Sequence, residues 1–179
     1  DVNVLIVDDE EVLRDVLHAL VRQEGHQPIS ASSGEEALRI LEEEDMDLVL
    51  LDLMLPGMSG QEVLEQIRKS DSEVEIVVIT AFSSVDTAIA AMKAGAFHYI
   101  AKPFKNEEVL LTMRSALERR KLAAENRELR QQLRDRNGFE KIIGKSKSIQ
   151  QVFDLIRLAA PSKSNILILG DSGTGKELV

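Results

Sequence analysis

The chain has 179 residues, an ordinary apolar share of 44% and a formal charge of −9, which allows one well-cored domain with an extra element or two small domains. It contains no cysteine, which excludes disulfides and thiolate metal sites. No apolar stretch approaches the ~18 residues of a membrane span and no charged-then-apolar leader opens the chain. The expectation is a soluble, cytoplasmic protein with no membrane partner, and Asp1 in place of methionine points to a trimmed amino end.

The charge is unevenly spread. Residues 1–105 carry 8 Lys and Arg against 21 Asp and Glu, a balance of −13, whereas the remainder carries 14 against 10, or +4. An acidic front repels phosphate backbones, so nucleic-acid binding there is not expected.

Up to about residue 105 the pattern alternates. Strand-like runs "NVLIV" (3–7), "QPISA" (27–31), "DLVLL" (47–51), "EIVVIT" (75–80) and "HYIA" (98–101) are separated by helix-period segments near 10–24, 34–44, 60–69 and 84–94. Ser33, Ser59 and Ser83 or Ser84 stand where three of these helices need amino-terminal caps, and Gly25, Gly57 and Gly95 punctuate the joins. Strands apolar on both faces predict a buried parallel sheet with helices on both sides, an α/β doubly wound, five-stranded fold. A last helix starts near Asn106 and meets no stop signal before Asn137-Gly138.

The second half of that helix places Leu122, Asn126, Leu129 and Leu133 at spacings of four, three and four. Such a heptad seam with asparagine at an a position favours two parallel strands, and Glu125 at g can meet Arg130 at e of a partner. The alternative is a single charged helix laid on its own domain. Beyond Gly138, "KSKSIQQVFDLIRLAA" has helical period and "ILILG" reads as one strand. The expected organisation is a first domain over 1–118, a dimerising helical linker over 119–137 and the truncated start of another domain over 138–179.

Carboxylates inside apolar runs are costly unless paired or metal-bound. Asp8 and Asp9 follow the first strand and Asp52 follows the third, and in open α/β sheets the ligand crevice lies at such carboxyl ends, near a switch in strand order. Oxygen-only ligation suits Mg²⁺. Thr80 and Lys102 end two further strands, so one rim carries three carboxylates, a hydroxyl and an ammonium. That set fits phosphoryl transfer to a carboxylate nucleophile.

The runs "VDDE", "LLDLMLPGMSG", "VVITAF" and "YIAKPF" at these spacings resemble the response-regulator receiver domains of bacterial two-component systems over residues 3 to about 118. The resemblance implies that Asp52 accepts a phosphoryl group from a sensor histidine kinase. It implies that Asp8, Asp9, Asp52 and the backbone carbonyl of Met54 hold Mg²⁺, and that Thr80 and Lys102 contact the phosphoryl oxygens. It also implies a cis Lys102–Pro103 bond and makes Tyr99 the switch aromatic. Met54 and Phe82 flank the site, where bulky apolar groups either shield the phosphoaspartate from water or serve core packing.

The terminal "GDSGTGKE" matches G-x-x-x-x-G-K, with Gly170, Gly173, Gly175 and Lys176 as candidate ATP-binding residues and Glu177 where Ser or Thr is usual. Together with "IIGKSKSIQQVF" it resembles the start of the AAA+ domain of sigma-54-dependent, nitrogen-regulator-C-type transcription activators. That resemblance implies ATP, sigma-54 RNA polymerase and enhancer DNA as ligands of a full-length protein, without ATPase activity in this chain. Competing readings are an ATPase proper, a phosphohydrolase using Asp52, for which "VDDEE" lacks the D-x-D spacing, and a flavodoxin-like cofactor binder, which needs no acid cluster.

Overall fold

A computed structural model describes residues 2–70, 73–82, 84–137, 146–160, 167–169, 171, 173 and 176. Two compact units divide the chain, Asp1–Ala124 and Glu125–Val179. In the first, β1 (Asn3–Val7), β2 (Gln27–Ala31), β3 (Leu48–Leu51), β4 (Glu75–Thr80) and β5 (His98–Ala101) alternate with α1 (Glu11–Gln23), α2 (Gly34–Glu43), α3 (Gly60–Lys69), α4 (Val85–Lys93) and α5 (Asn106–Asn137). All neighbouring strands pair parallel in the order β2-β1-β3-β4-β5. The expected five-stranded doubly wound sheet is present, with β3 starting one residue later than its apolar run.

Period-2 alternation distributes the core. Leu5, Val7, Val49, Leu51, Ile76 and Val78 face one layer with α2, α3 and α4. Val4, Ile6, Leu48, Leu50, Val77 and Ile79 face the other with α1 and α5. Each Leu or Ile buried this completely contributes about 1.5–3 kcal/mol relative to exposure, so β1, β3 and β4 form a rigid platform.

Side-chain caps fix where three helices begin. Ser33 accepts the Glu36 N–H at α2, and Ser59 with Glu62 and Ser84 with Thr87 form reciprocal caps at α3 and α4. Gly60, the first residue of α3, lies against the main chain that carries Asp52. A Cβ built there stands 1.9 Å from the Asp52 carbonyl oxygen and 2.6 Å from the Leu53 Cα. No side chain fits without moving the third strand's exit.

In the second unit, α6 (Lys147–Ala159) is capped by Ser146 and buries Phe153, leaving Leu155 and Leu158 exposed. Leu167–Leu169, the described part of the "ILILG" run, are not in a strand, contrary to the expectation. A strand is defined by a hydrogen-bonded neighbour, and no described residue pairs with this run. Gly138 of the expected stop signal lies outside the described residues, as do Gly170, Gly175 and Glu177 of the terminal loop.

Gly60→Ala is expected to lower unfolding free energy by about 1–3 kcal/mol through overpacking against backbone. Urea denaturation checks this, and an unchanged midpoint contradicts the close approach.

Candidate functional site

The strand order reverses direction between β1 and β3, and both acidic strand ends stand at that switch point. The Asp52 N–H donates to the Val7 carbonyl at 2.9 Å, extending the β1–β3 ladder one residue past β3. Asp8 N–H donates to the Ala31 carbonyl on the other side of β1 at 3.2 Å. Backbone pairing thus sets both carboxylates before any side chain contributes. They are 1% and 4% exposed for Asp8 and Asp52, respectively.

Lys102 comes from the end of β5, where its N–H donates to the Thr80 carbonyl at 2.9 Å and a cis bond joins it to Pro103. Its Nζ lies 2.6 Å from Asp52 Oδ2 and 2.7 Å from Asp8 Oδ2, with Glu10 Oε1 at 3.3 Å. The remaining oxygens of the two acids are also bonded. Asp52 Oδ1 accepts the Met54 N–H at 2.9 Å, and Asp8 Oδ1 accepts the Glu10 N–H at 2.9 Å. Arg14 reaches back from α1 to donate to the Asp8 carbonyl at 2.7 Å.

Asp9 is exposed and completes an oxygen-only set, in which one carboxylate oxygen from each of Asp8, Asp9 and Asp52 lies within 4.8 Å of the others. Hard oxygen donors this close suit a small divalent cation such as Mg²⁺. Thr80 is fully buried, and its hydroxyl accepts the Phe82 N–H at 3.3 Å. Tyr99 is half-buried, with its hydroxyl donating to the Phe82 carbonyl. Phe82 therefore touches both Thr80 and Tyr99 through its backbone.

A response regulator receiver domain profile matches residues 4–114, and a sigma-54 interaction domain profile matches residues 142–179. The chain belongs to the response-regulator receiver family. It is a receiver followed by the beginning of a sigma-54 interaction domain. It is similar to the transcriptional regulatory protein ZraR of Salmonella typhimurium, 38% identical over 99% of this chain and 39% of that protein. It is also similar to the regulatory protein AtoC of Escherichia coli, 33% identical over 98% of this chain and 38% of that protein. This receiver-containing chain thus spans less than two-fifths of the length of these relatives. Among solved structures, NtrX from Brucella abortus superposes with a TM-score of 0.68 at 35% identity, over 98% of this chain and 38% of that one. A receiver domain from Clostridium thermocellum gives 0.65 at 32% identity, over 69% and 99%.

The receiver's site electrostatics follow from burial and the shared ammonium. Burial pushes the Asp8 carboxyl above its ordinary value, against the opposing pull of Lys102 and the Glu10 N–H. For Lys102, burial pulls downward, but the hydrogen bonds and charges of Asp52 and Asp8 outweigh it and the ammonium is held above its ordinary value. Met54 and Phe82 are 58% and 56% exposed, so the core-packing alternative for this pair fails. Glu10 joins the site without a sequence signal of its own. It is one acid in the run after β1, and its contact with Lys102 depends on a partner 92 positions away.

In the terminal loop, Gly173 adopts φ +84°, a conformation that favours glycine. Lys176 Nζ donates to the Asp171 carbonyl.

Lys102→Met leaves two buried carboxylates without their shared cation. It is expected to cost about 2 kcal/mol of stability in chelator at neutral pH. Added Mg²⁺ should narrow that deficit, as thermal melts would read; an equal deficit with and without Mg²⁺ contradicts the shared-cation account.

Proposed function

We propose that this chain is the phosphorylation-controlled input of a sigma-54-dependent transcription activator, with Asp52 as phosphoacceptor and a sensor histidine kinase as donor. The observation that carries this reading is the Lys102 ammonium held 2.6 Å from Asp52 and 2.7 Å from Asp8 beside the exposed carboxylate of Asp9. A buried carboxylate with an adjacent cation and an open oxygen-ligand set is equipped for phosphoryl acceptance. We assign residues 1–118 to the receiver, 119–137 to a pairing helix and 138–179 to the start of an AAA+ domain.

In the reaction, an Asp52 oxygen attacks phosphorus, the new O–P bond forms as the donor P–N bond breaks, and the bonding pair leaves with the donor imidazole. Asp8, Asp9, Asp52 and the Met54 carbonyl would hold Mg²⁺, which supplies charge neutralisation at the transferring group. Met54 N–H holds Asp52 Oδ1, fixing the carboxylate plane. Lys102 exchanges its contact with Asp52 Oδ2 for a phosphoryl oxygen as Oδ2 becomes the attacking atom. Thr80 gives up the Phe82 N–H and turns its hydroxyl to another phosphoryl oxygen, which alters the β4–α4 loop that Tyr99 grips through Phe82. A groove lined by Leu13, Val16, Ala81, Pro103 and Phe104 runs up to Glu10 and Lys102 and suits an apolar helix face of the kinase.

The output is homodimer pairing through the α5 seam, whose Leu122 and Leu129 are 58% and 59% exposed. ATP at the terminal loop, sigma-54 RNA polymerase and enhancer DNA belong, in this reading, to the longer protein; this chain is regulatory, and its chemistry is one phosphoryl acceptance per site.

Incubation with a small acyl phosphate and Mg²⁺ tests the acceptor. Labelling should be stoichiometric in the parent and absent in Asp52→Asn, while persistent Mg²⁺-dependent label in that variant contradicts the assignment. If Met54 and Phe82, which flank the acceptor and Thr80 in the chain, shield the phosphoaspartate, the label should outlast minutes at neutral pH and decay faster in the Met54→Ala, Phe82→Ala double variant. Decay of the parent label within seconds contradicts shielding.

A further inference from the structure

The face that α5 turns to the sheet changes chemistry part-way along the helix. Val109, Met113 and Ala116, spaced i, i+4 and i+7, are at most 1% exposed and packed in the core layer. Three arginines, one within this stretch and two just beyond it, anchor the same helix by polar contacts. Arg114 makes a two-pronged pair with Glu24 at the end of α1, at 2.6 and 2.7 Å. Arg119 does the same with Glu75, the first residue of β4, at 2.9 and 2.6 Å, and its guanidinium lies 4.7 Å from the centre of the Phe97 ring. Arg120 donates to the carbonyls of Met46 and Asp47 at 2.8 and 3.2 Å and meets the Asp47 carboxylate at 3.0 Å.

Two features set this belt apart from ordinary surface pairs. Glu75 is only 6% exposed, so its pair with Arg119 has one partner inside the protein surface. Glu75 begins β4, which ends in Thr80, and Phe97 immediately precedes β5, which carries Tyr99 and runs into Lys102. Immediately past the belt, every residue of α5 from Lys121 to Gln132 is exposed. In the heptad frame Arg119 takes the a position directly before Leu122 at d.

Apolar contact is non-directional and tolerates rotation of a helix about its axis. Two-pronged guanidinium–carboxylate pairs have fixed planar geometry and do not. We propose that Arg114, Arg119 and Arg120 are positioning residues that lock the rotation of α5, set Leu122 as the first position open to a second copy of this chain, and pass displacements of β4 and β5 to that pairing face. The proposal rests on the reading of α5 as the pairing helix.

The chain's lack of cysteine makes Leu122→Cys a single-thiol reporter. The rate of disulfide cross-linking between copies under mild oxidant is measured with and without Mg²⁺ and beryllofluoride, and Asp52 labelling by acyl phosphate is measured in parallel. In the Leu122→Cys background the mimic is expected to change the rate about fivefold. Arg119→Lys, which keeps a charge beside Glu75 but loses the two-pronged pair, should reduce that ratio toward one with labelling unchanged, and Glu75→Gln should do the same. Should either variant fail to fold, Arg114→Gln, whose pair is exposed, carries the same expectation. Folded variants that keep the background's ratio overturn the belt's role, and so does a loss of labelling in step with the ratio. If the background itself shows no change with the mimic, the pairing reading of α5 fails, and the belt's role with it, whatever the variants do.

Discussion

Two carboxylates set side by side under a parallel sheet's rim need a cation between them, and here Lys102 provides it. Asp8 and Asp52 are placed by the backbone ladders of β1 and β3, neighbouring strands in the interior of the sheet, and both carboxylates are buried. Their mutual repulsion is balanced by one ammonium delivered from β5, two strands away from β3 in the sheet order. The order β2-β1-β3-β4-β5 and the absence of a side chain at Gly60, against the Asp52 main chain, both help keep that triad in place. The site is therefore a charge arrangement that the fold imposes, and it is satisfied only while a cation is present.

The same arrangement links the rim to the rest of the receiver. Lys102 and Thr80 are joined through backbone pairing between β4 and β5, and Thr80 and Tyr99 meet at the Phe82 backbone. Under the proposed function, a phosphoryl group on Asp52 would compete for Lys102 and the Thr80 hydroxyl, so its energetic effect would fall first on β4, β5 and the loop between β4 and α4. The helix α5 contacts the opposite ends of those two strands through Arg119. The acidic rim and the Arg119 contacts thus sit at opposite ends of the same strand β4, with the core between them.

Much of this is legible in the sequence, for identifiable reasons. Strands apolar on both faces announce a covered parallel sheet, and Asp8, Asp52 and Lys102 stand out because charge in an apolar run requires a partner. Serine caps are readable because their partners are three residues away. What escapes are contacts between distant positions. Arg119 with Glu75 spans 44 residues and Lys102 with Glu10 spans 92, and neither pair differs in composition from solvated surface charge. Leu167–Leu169, the described part of the "ILILG" run, are not a strand because an apolar run gives only propensity, whereas a strand requires a neighbour to accept its hydrogen bonds. The family resemblance makes Lys102 a ligand for the phosphoryl group; the structure adds that it holds Asp8 and Asp52 together beforehand.

The measurement that tests the central claim most directly is chemical location of the acceptor. The chain is treated with acyl phosphate and Mg²⁺, the phosphorylated carboxyl is reduced with borohydride, and the modified position is found by peptide mass spectrometry. The account predicts homoserine at position 52 alone. Modification at Asp8, Asp9 or a histidine, with position 52 still aspartate, would contradict it.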